Sequence, residues 1–350
     1  MFLGIIFVII FLSILIVAHE LGHFLAAKRF GLLVEEFGFG LPSKKLWSKK
    51  IGETLYSINL LPFGGFVKIF GEDGQNLNEL PEDQKRRSFA SLKIWQRTII
   101  ISAGVIFNFL LGWLVISSIF FIGAPKAILI TDVVKNSPAE SAGIKTNDKI
   151  IGFENSKDVI NLINENRGKE IELKIERPGK ITKETLNIKI TPRTSENTPK
   201  GQGALGIGLT DAGFEKKGLI TSFWEGLKTS FELSLMIFKA IFGLLVKTFS
   251  GQATLDSVSG PVGIIKITAQ AGELGFIYLF QLLAMISLNL AALNIFPFPA
   301  LDGGRLVFLA IEKIKGSPIK PKTEQIINSL GLAFLLLLMI AITIKDIAKF

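Results

Sequence analysis

The chain has 350 residues, 49% of them hydrophobic, and a formal net charge of +9 from 39 lysines and arginines against 30 acidic residues. Its mean hydropathy of +0.46 is too apolar for an ordinary soluble domain of that size and points to a membrane protein. It contains no cysteine, which excludes disulfides, thiolate metal ligands, iron–sulfur clusters and cysteine nucleophiles; its basic residues crowd beside apolar runs, which suits the cytoplasmic face of a membrane and argues against nucleic acid as a partner.

Residues 1–27 read as a first transmembrane helix, uncharged from Phe2 to Ala18 and apolar again from Phe24 to Ala27. A cleaved leader is the rival reading, but no basic residue precedes the run and no small-residue cleavage site follows it. Residues 28–97 form a loop carrying Lys28, Arg29, Lys44, Lys45, Lys49, Lys50, Lys85, Arg86, Arg87 and Arg97. A second span is predicted at 98–122, a third at 275–304 including the residues after its apolar part, and a fourth at 326–344. Arg305, Lys313, Lys315, Lys320 and Lys322 follow the third. With four crossings, both basic loops fall on one side, which the positive-inside rule makes cytoplasmic.

Between the second and third spans the composition changes. Residues 125–211 read as a water-soluble domain, with alternating strand patterns at Ile171–Ile175 and Leu186–Ile190. Ser137 to Gly143 has the serine start and glycine stop of a short helix, and Asn147 to Ile151 reads as turn and strand. Residues 222–249 have two readings, a fifth crossing or an amphipathic helix lying in the interface. Glu225, Lys228, Glu232 and Lys239 share one helical face, which favours the interface.

The only two histidines stand in His19-Glu20-Leu21-Gly22-His23, four residues apart at the end of the first span. On a helix, that spacing puts both imidazoles on one face, where they can share one Zn²⁺. Glu20 is offset from that face and suits the base that activates water in metal-assisted hydrolysis of a peptide bond. Two imidazoles and a carboxylate in an apolar run are costly to insert, which makes a chance match a weak explanation. A catalytic zinc usually takes three protein ligands, and with no third histidine and no cysteine the remaining one must be a carboxylate. Asp302 is the candidate. Under four crossings the first and third spans run the same way, so His19, His23 and Asp302 share the cytoplasmic end, whereas a fifth crossing at 222–249 separates them.

Pro297 and Pro299 remove two backbone donors and break the helix, which at membrane depth requires a protein-lined or water-lined surrounding. Asn294 beside this break reads either as a hydrogen-bonding group for substrate backbone or as an interhelical tie; Asn108 in the second span reads as a tie.

These residues resemble the site-2 protease family of intramembrane zinc metalloproteases, in particular its bacterial regulator-of-sigma-E type. Its zinc-helix motif falls on His19, Glu20 and His23, and its second motif, Asn-x-x-Pro-x-Pro-x-Leu-Asp-Gly, on Asn294, Pro297, Pro299, Leu301, Asp302 and Gly303. The resemblance implies zinc ligation by His19, His23 and Asp302 and acid–base work by Glu20. It extends to Phe37-Gly38-Phe39-Gly40 and Leu61 to Lys68, which look like the family's membrane-associated β-hairpin region; an exposed strand edge there, with Gly38 and Gly40, would hold an unwound substrate by β-addition. Residues 125–211 look like one PDZ domain where relatives of this type carry two. Ser259-Gly260-Pro261-Val262-Gly263 is a further family-like turn with no derivable catalytic role.

The expected architecture is therefore an α+β membrane protein with four transmembrane helices, a membrane-associated β-hairpin region and one inserted PDZ-like domain. Its expected setting is the bacterial inner membrane, with the active site toward the cytoplasm and the PDZ-like domain on the periplasmic or extracellular side. By resemblance its substrates are transmembrane proteins of the anti-sigma-factor or remnant-signal-peptide type. The rival functions are a zinc-dependent membrane transporter and an inactive PDZ scaffold, and both leave Glu20 without a task.

Overall fold

The computed structural model describes residues 2–61, 64–72, 81–177, 184–199, 201–250 and 259–348; Pro62 and Phe63 of the hairpin-like stretch lie outside them. The chain opens with α1 (Phe2–Arg29), then β1 (Val34–Phe39), β2 (Lys45–Ile51), β3 (Thr54–Asn59), β4 (Gly65–Ile69), the short α2 (Glu82–Arg86) and α3 (Ile94–Ile122). There follow β5 (Ala124–Val133), α4 (Pro138–Ser141), β6 (Lys149–Ile150), α5 (Ser156–Glu165), β7 (Ile171–Arg177), β8 (Glu184–Ile190) and β9 (Ile207–Phe214). The remainder is helical: α6 (Leu219–Phe249), α7 (Pro261–Leu274), α8 (Phe276–Asn294), α9 (Asp302–Lys315) and α10 (Pro321–Ala348). The fold is α+β, and among the described residues four helices, α1, α3, α8 and α10, are long and apolar enough to cross a membrane.

Two compact units emerge: one of Met1–Ser117, Trp224–Ala269 and Leu279–Phe350, the other of Ser118–Phe223 and Gln270–Tyr278. The second contains a five-stranded sheet in the order β8-β7-β6-β5-β9. Its alternation follows the sequence. Ile171, Leu173 and Ile175 of β7 point into a core shared with Val159 and Ile163 of α5, while Glu172 and Lys174 face out. Ser137 caps α4 by accepting the Glu140 amide at 3.2 Å, a contact worth about 1 kcal/mol. Asp148, fully buried, takes both arms of the Arg177 guanidinium at 2.8 and 2.7 Å.

In the first unit the polar segment after α1 is more than a hairpin. It is a four-stranded sheet, β2-β3-β1-β4, in which β1 runs parallel to β3 and antiparallel to β4. The β2–β3 hairpin returns the chain so that β3 lies beside β1, and β4 takes the opposite edge. Phe24 of α1 stacks edge-on against Phe37 and Tyr56, with ring centroids 5.3 and 6.1 Å apart, fastening one face of the sheet to the helix one residue after His23. Val34 and Ile69 then join Ala27, Ile100, Ile101 and Leu309 in one buried cluster that unites α1, the sheet, α3 and α9.

Small residues let the helices approach. A Cβ on Gly22 of α1 would lie 2.3 Å from the Ala103 carbonyl oxygen of α3, so only glycine permits this crossing. Arg97 at the start of α3 forms a two-armed ion pair with Glu312 of α9 at 2.5 and 3.0 Å. At α7, the Ser259–Gly263 turn is held by Asp346 of α10, whose Oδ2 accepts the amides of Gly260 and Gly263 at 2.8 and 2.9 Å. On α6, Gly226 is set against Ser117 of α3, and Phe238 lies 6.0 Å from Phe296, while Lys228, Glu232 and Lys239 are exposed.

Candidate metal centre

His19 and His23 stand one helical turn apart near the end of α1, and α3 runs antiparallel beside them. Each imidazole turns one ring nitrogen toward α3. His23 Nδ1 donates to the Ile100 carbonyl oxygen at 2.8 Å, which leaves its Nε2 as a lone-pair donor facing inward. His19 Nδ1 lies 3.4 Å from the Asn108 amide and 3.5 Å from that of Asn294.

Asp302 reaches the pair from the other end of the chain. The prolines end α8 at Asn294, residues 295–301 are non-helical, and Ala300 takes a left-handed φ of 72° before α9 starts at Asp302. This break is anchored: the Ala300 amide donates to Asn328 Oδ1 of α10 at 3.1 Å. Its effect is to aim Asp302 back at α1.

The three inward atoms form a triangle. His19 Nε2 and His23 Nε2 are 3.2 Å apart, and Asp302 Oδ2 lies 3.2 Å from the first and 3.5 Å from the second. Donors at the corners of a tetrahedron around Zn²⁺, each about 2.05 Å from the metal, are separated by roughly 3.3 Å. The edges match. Asp302 Oδ2 is moreover buried with no hydrogen-bond partner, an orphan acceptor that a cation satisfies. The residues present fit a zinc ion with three protein ligands and one open position.

A cavity of about 250 Å³ opens at this triangle, lined by Glu20, Asn294, Val67, Ile69, Glu72 and Arg305 among others. Glu20 is outside the ligand triangle but faces the same space. Behind it packs β4: a Cβ on Gly65 would lie 2.8 Å from Ile16 and 3.2 Å from Glu20 Cγ. Arg305 bonds Glu72 at 2.5 Å on the cavity wall; burial pulls its guanidinium pKa down, but the Glu72 carboxylate outweighs this and holds it above its ordinary value.

The structure thus brings together His19, Glu20, His23, Asn294 and Asp302, and puts Pro297 and Pro299 in the connection that aims Asp302. Gly38 and Gly40 sit elsewhere. Gly38 lies in β1, which is already paired on both edges, and the space of its missing side chain is taken by the Phe66 ring. Gly40 has φ 87°, and a Cβ there would meet the Leu61 carbonyl oxygen. Both glycines build the sheet, whose two outer strands are β2 and β4. Three features escaped the sequence reading: the absent side chain of Gly104, which makes room for both imidazoles, the Glu72–Arg305 pair, and the approach to His19 of Asn108, read there only as a tie.

The sequence model of peptidase family M50 matches residues 7–338. The chain is 32% identical to the regulator of sigma-W protease RasP of Bacillus subtilis, over 98% of its own length and 97% of that protein. It is 30% identical to the zinc metalloprotease RasP of Geobacillus kaustophilus, with 98% and 97% covered. A Clostridium perfringens protein, likewise named among the zinc metalloproteases, is 34% identical over 98% of each chain.

Proposed function

We propose, since this chain belongs to peptidase family M50 and is a zinc-dependent intramembrane endopeptidase, that His19, His23 and Asp302 hold its zinc and that Glu20 is its acid–base group. The observation carrying this reading is the near-tetrahedral triangle of two Nε2 atoms and one carboxylate oxygen. Bound there, zinc supplies Lewis acidity that polarises the scissile carbonyl and lowers the pKa of water. Glu20 takes the proton from the attacking water at its carboxylate and returns it to the departing amide nitrogen. Asn294, on the cavity wall, orients substrate backbone, and Pro297 and Pro299 keep the adjoining chain extended where substrate passes.

A spanning substrate is helical, whereas hydrolysis needs an extended backbone. The outer edge of β4, which lies at one end of the four-stranded sheet among the described residues and sets Gly65 beside Glu20, is where an unwound segment adds as a strand. The substrates are transmembrane proteins of the anti-sigma-factor or remnant-signal-peptide type; one similar protein is named for regulating sigma-W. The five-stranded unit is read as the PDZ-like domain. Charge distribution supports a bacterial inner-membrane setting with the metal centre toward the cytoplasm and the PDZ-like domain on the opposite side. The charged residues of α6 argue for the interface, although Gly226 and Phe238 bring it alongside α3 and the α8–α9 connection.

The test is reconstitution of metal-free protein in bilayers with a single-span substrate. Zinc at one equivalent restores cleavage of the native chain, and His19→Ala, His23→Ala and Asp302→Ala each abolish stoichiometric zinc. Stoichiometric zinc in all three variants would overturn the ligand set.

A further inference from the structure

His19 turns one ring nitrogen toward Asp302 and His23 and the other toward two side-chain amides. A neutral imidazole carries one proton, and ligation through Nε2 places it on Nδ1, where it needs an acceptor. Both amides present Nδ2 to that atom, Asn108 at 3.4 Å and Asn294 at 3.5 Å. A donor therefore faces a donor. Asn108 is 1% exposed, and its Oδ1 is buried with no hydrogen-bond partner. Turning this amide by 180° gives the Nδ1 proton an acceptor and the orphaned oxygen a donor in a single rotation. Asn294 lines the cavity and carries no such orphan oxygen.

We infer that Asn108 is the positioning residue of the metal centre: its Oδ1 accepts the Nδ1 proton of His19 and fixes the tautomer and the ring plane, which leaves Asn294 to the substrate. The inference rests on the reading that His19, His23 and Asp302 hold zinc. The placement of Asn108 is itself secured. Its backbone oxygen accepts the Ser287 hydroxyl of α8 at 2.7 Å, and it follows Gly104 by one turn on the face of α3 that meets the imidazoles. His23 has the equivalent partner in the Ile100 carbonyl at 2.8 Å. Both histidines are thus held from α3, one by backbone and one by a side chain.

The experiment is zinc affinity by chelator competition on the full chain in bilayers, with the thermal midpoint of the metal-free protein measured alongside. Asn108→Leu removes the acceptor at similar volume and is expected to weaken zinc binding about 10- to 100-fold. Its metal-free midpoint should stay near that of the native chain. Asn108→Asp retains an acceptor oxygen and should restore affinity. Asn294→Leu should keep native zinc affinity and change KM or kcat instead. If Asn108→Leu proves poorly folded, Asn108→Ala gives the same comparison. Native affinity in both the Leu and Ala variants, with zinc lost in His19→Ala, overturns the role of Asn108 and leaves the ligand set standing. Loss of zinc in Asn294→Leu but not in Asn108→Leu overturns the division of labour. Native zinc affinity in His19→Ala removes the ligand set and the inference with it.

Discussion

Gly104 of α3 lies directly under the His23 imidazole: a Cβ at this position would stand 2.4 Å from His23 Nε2 and 2.6 Å from His19 Cε1. Gly104→Ala is therefore expected to push the imidazoles off their common point. Overpacking of this kind costs about 1–3 kcal/mol, too little to unfold the protein. The dissociation constant for zinc should rise at least about tenfold, which converts to about 1.4 kcal/mol. An unchanged constant in the variant would show that the ligands can retreat from α3.

Glu20→Gln preserves size and removes the proton acceptor. Zinc content should match the native chain, because Glu20 stands outside the ligand triangle. Cleavage of a single-span substrate should fall about 10²- to 10⁴-fold. Equal cleavage rates, compared at saturating substrate, would remove Glu20 from the mechanism.

The edge strand is tested at Gly65. A valine there meets Ile16 and Glu20 and forces β4 outward. Since β4 contributes none of the ligand atoms, Gly65→Val should keep zinc while kcat/KM drops about tenfold or more, a loss of roughly 1.4 kcal/mol in transition-state stabilisation. Unchanged kcat/KM would argue that substrate does not use this edge.

Arg97 and Glu312 are 14% and 15% exposed at their side chains and tie the start of α3 to α9. Glu312→Ala strands the guanidinium, a change that costs about 3–5 kcal/mol when the pair is buried and less where water reaches it. The thermal midpoint should fall by several degrees. Arg97→Met combined with Glu312→Leu removes both charges and should recover much of the loss. A double variant less stable than Glu312→Ala alone would show that the pair contributes more than charge compensation.

His19, Glu20 and His23, which the structure gathers at one cavity, stood out as candidates because metal binding on a helix asks for a spacing of four and a membrane span makes polar residues conspicuous. Asp302 followed because the chain offers no third histidine and no cysteine, and two prolines flag the bend that aims it. Gly104 and Asn108 were not legible. A glycine and an asparagine in an apolar helix have many ordinary explanations, and only the antiparallel crossing of α1 and α3 shows which residues meet. The parallel pairing of β1 with β3 was hidden for a related reason: strand alternation fixes which face is apolar, but not which neighbour a strand takes. Gly38 drew attention through the family resemblance, whereas its missing side chain makes room for the Phe66 ring.

The proposed ligand atoms come from α1 and α9, and both sheets of the described residues lie between them in the sequence. Ribosomes add about 5–20 residues per second, so the imidazole pair enters the membrane well before its carboxylate exists. A nascent, truncated or half-inserted chain carries two histidines and no Asp302 to complete them. On that ligand set, a chain that stops short of Asp302 lacks the third ligand and is expected not to cleave.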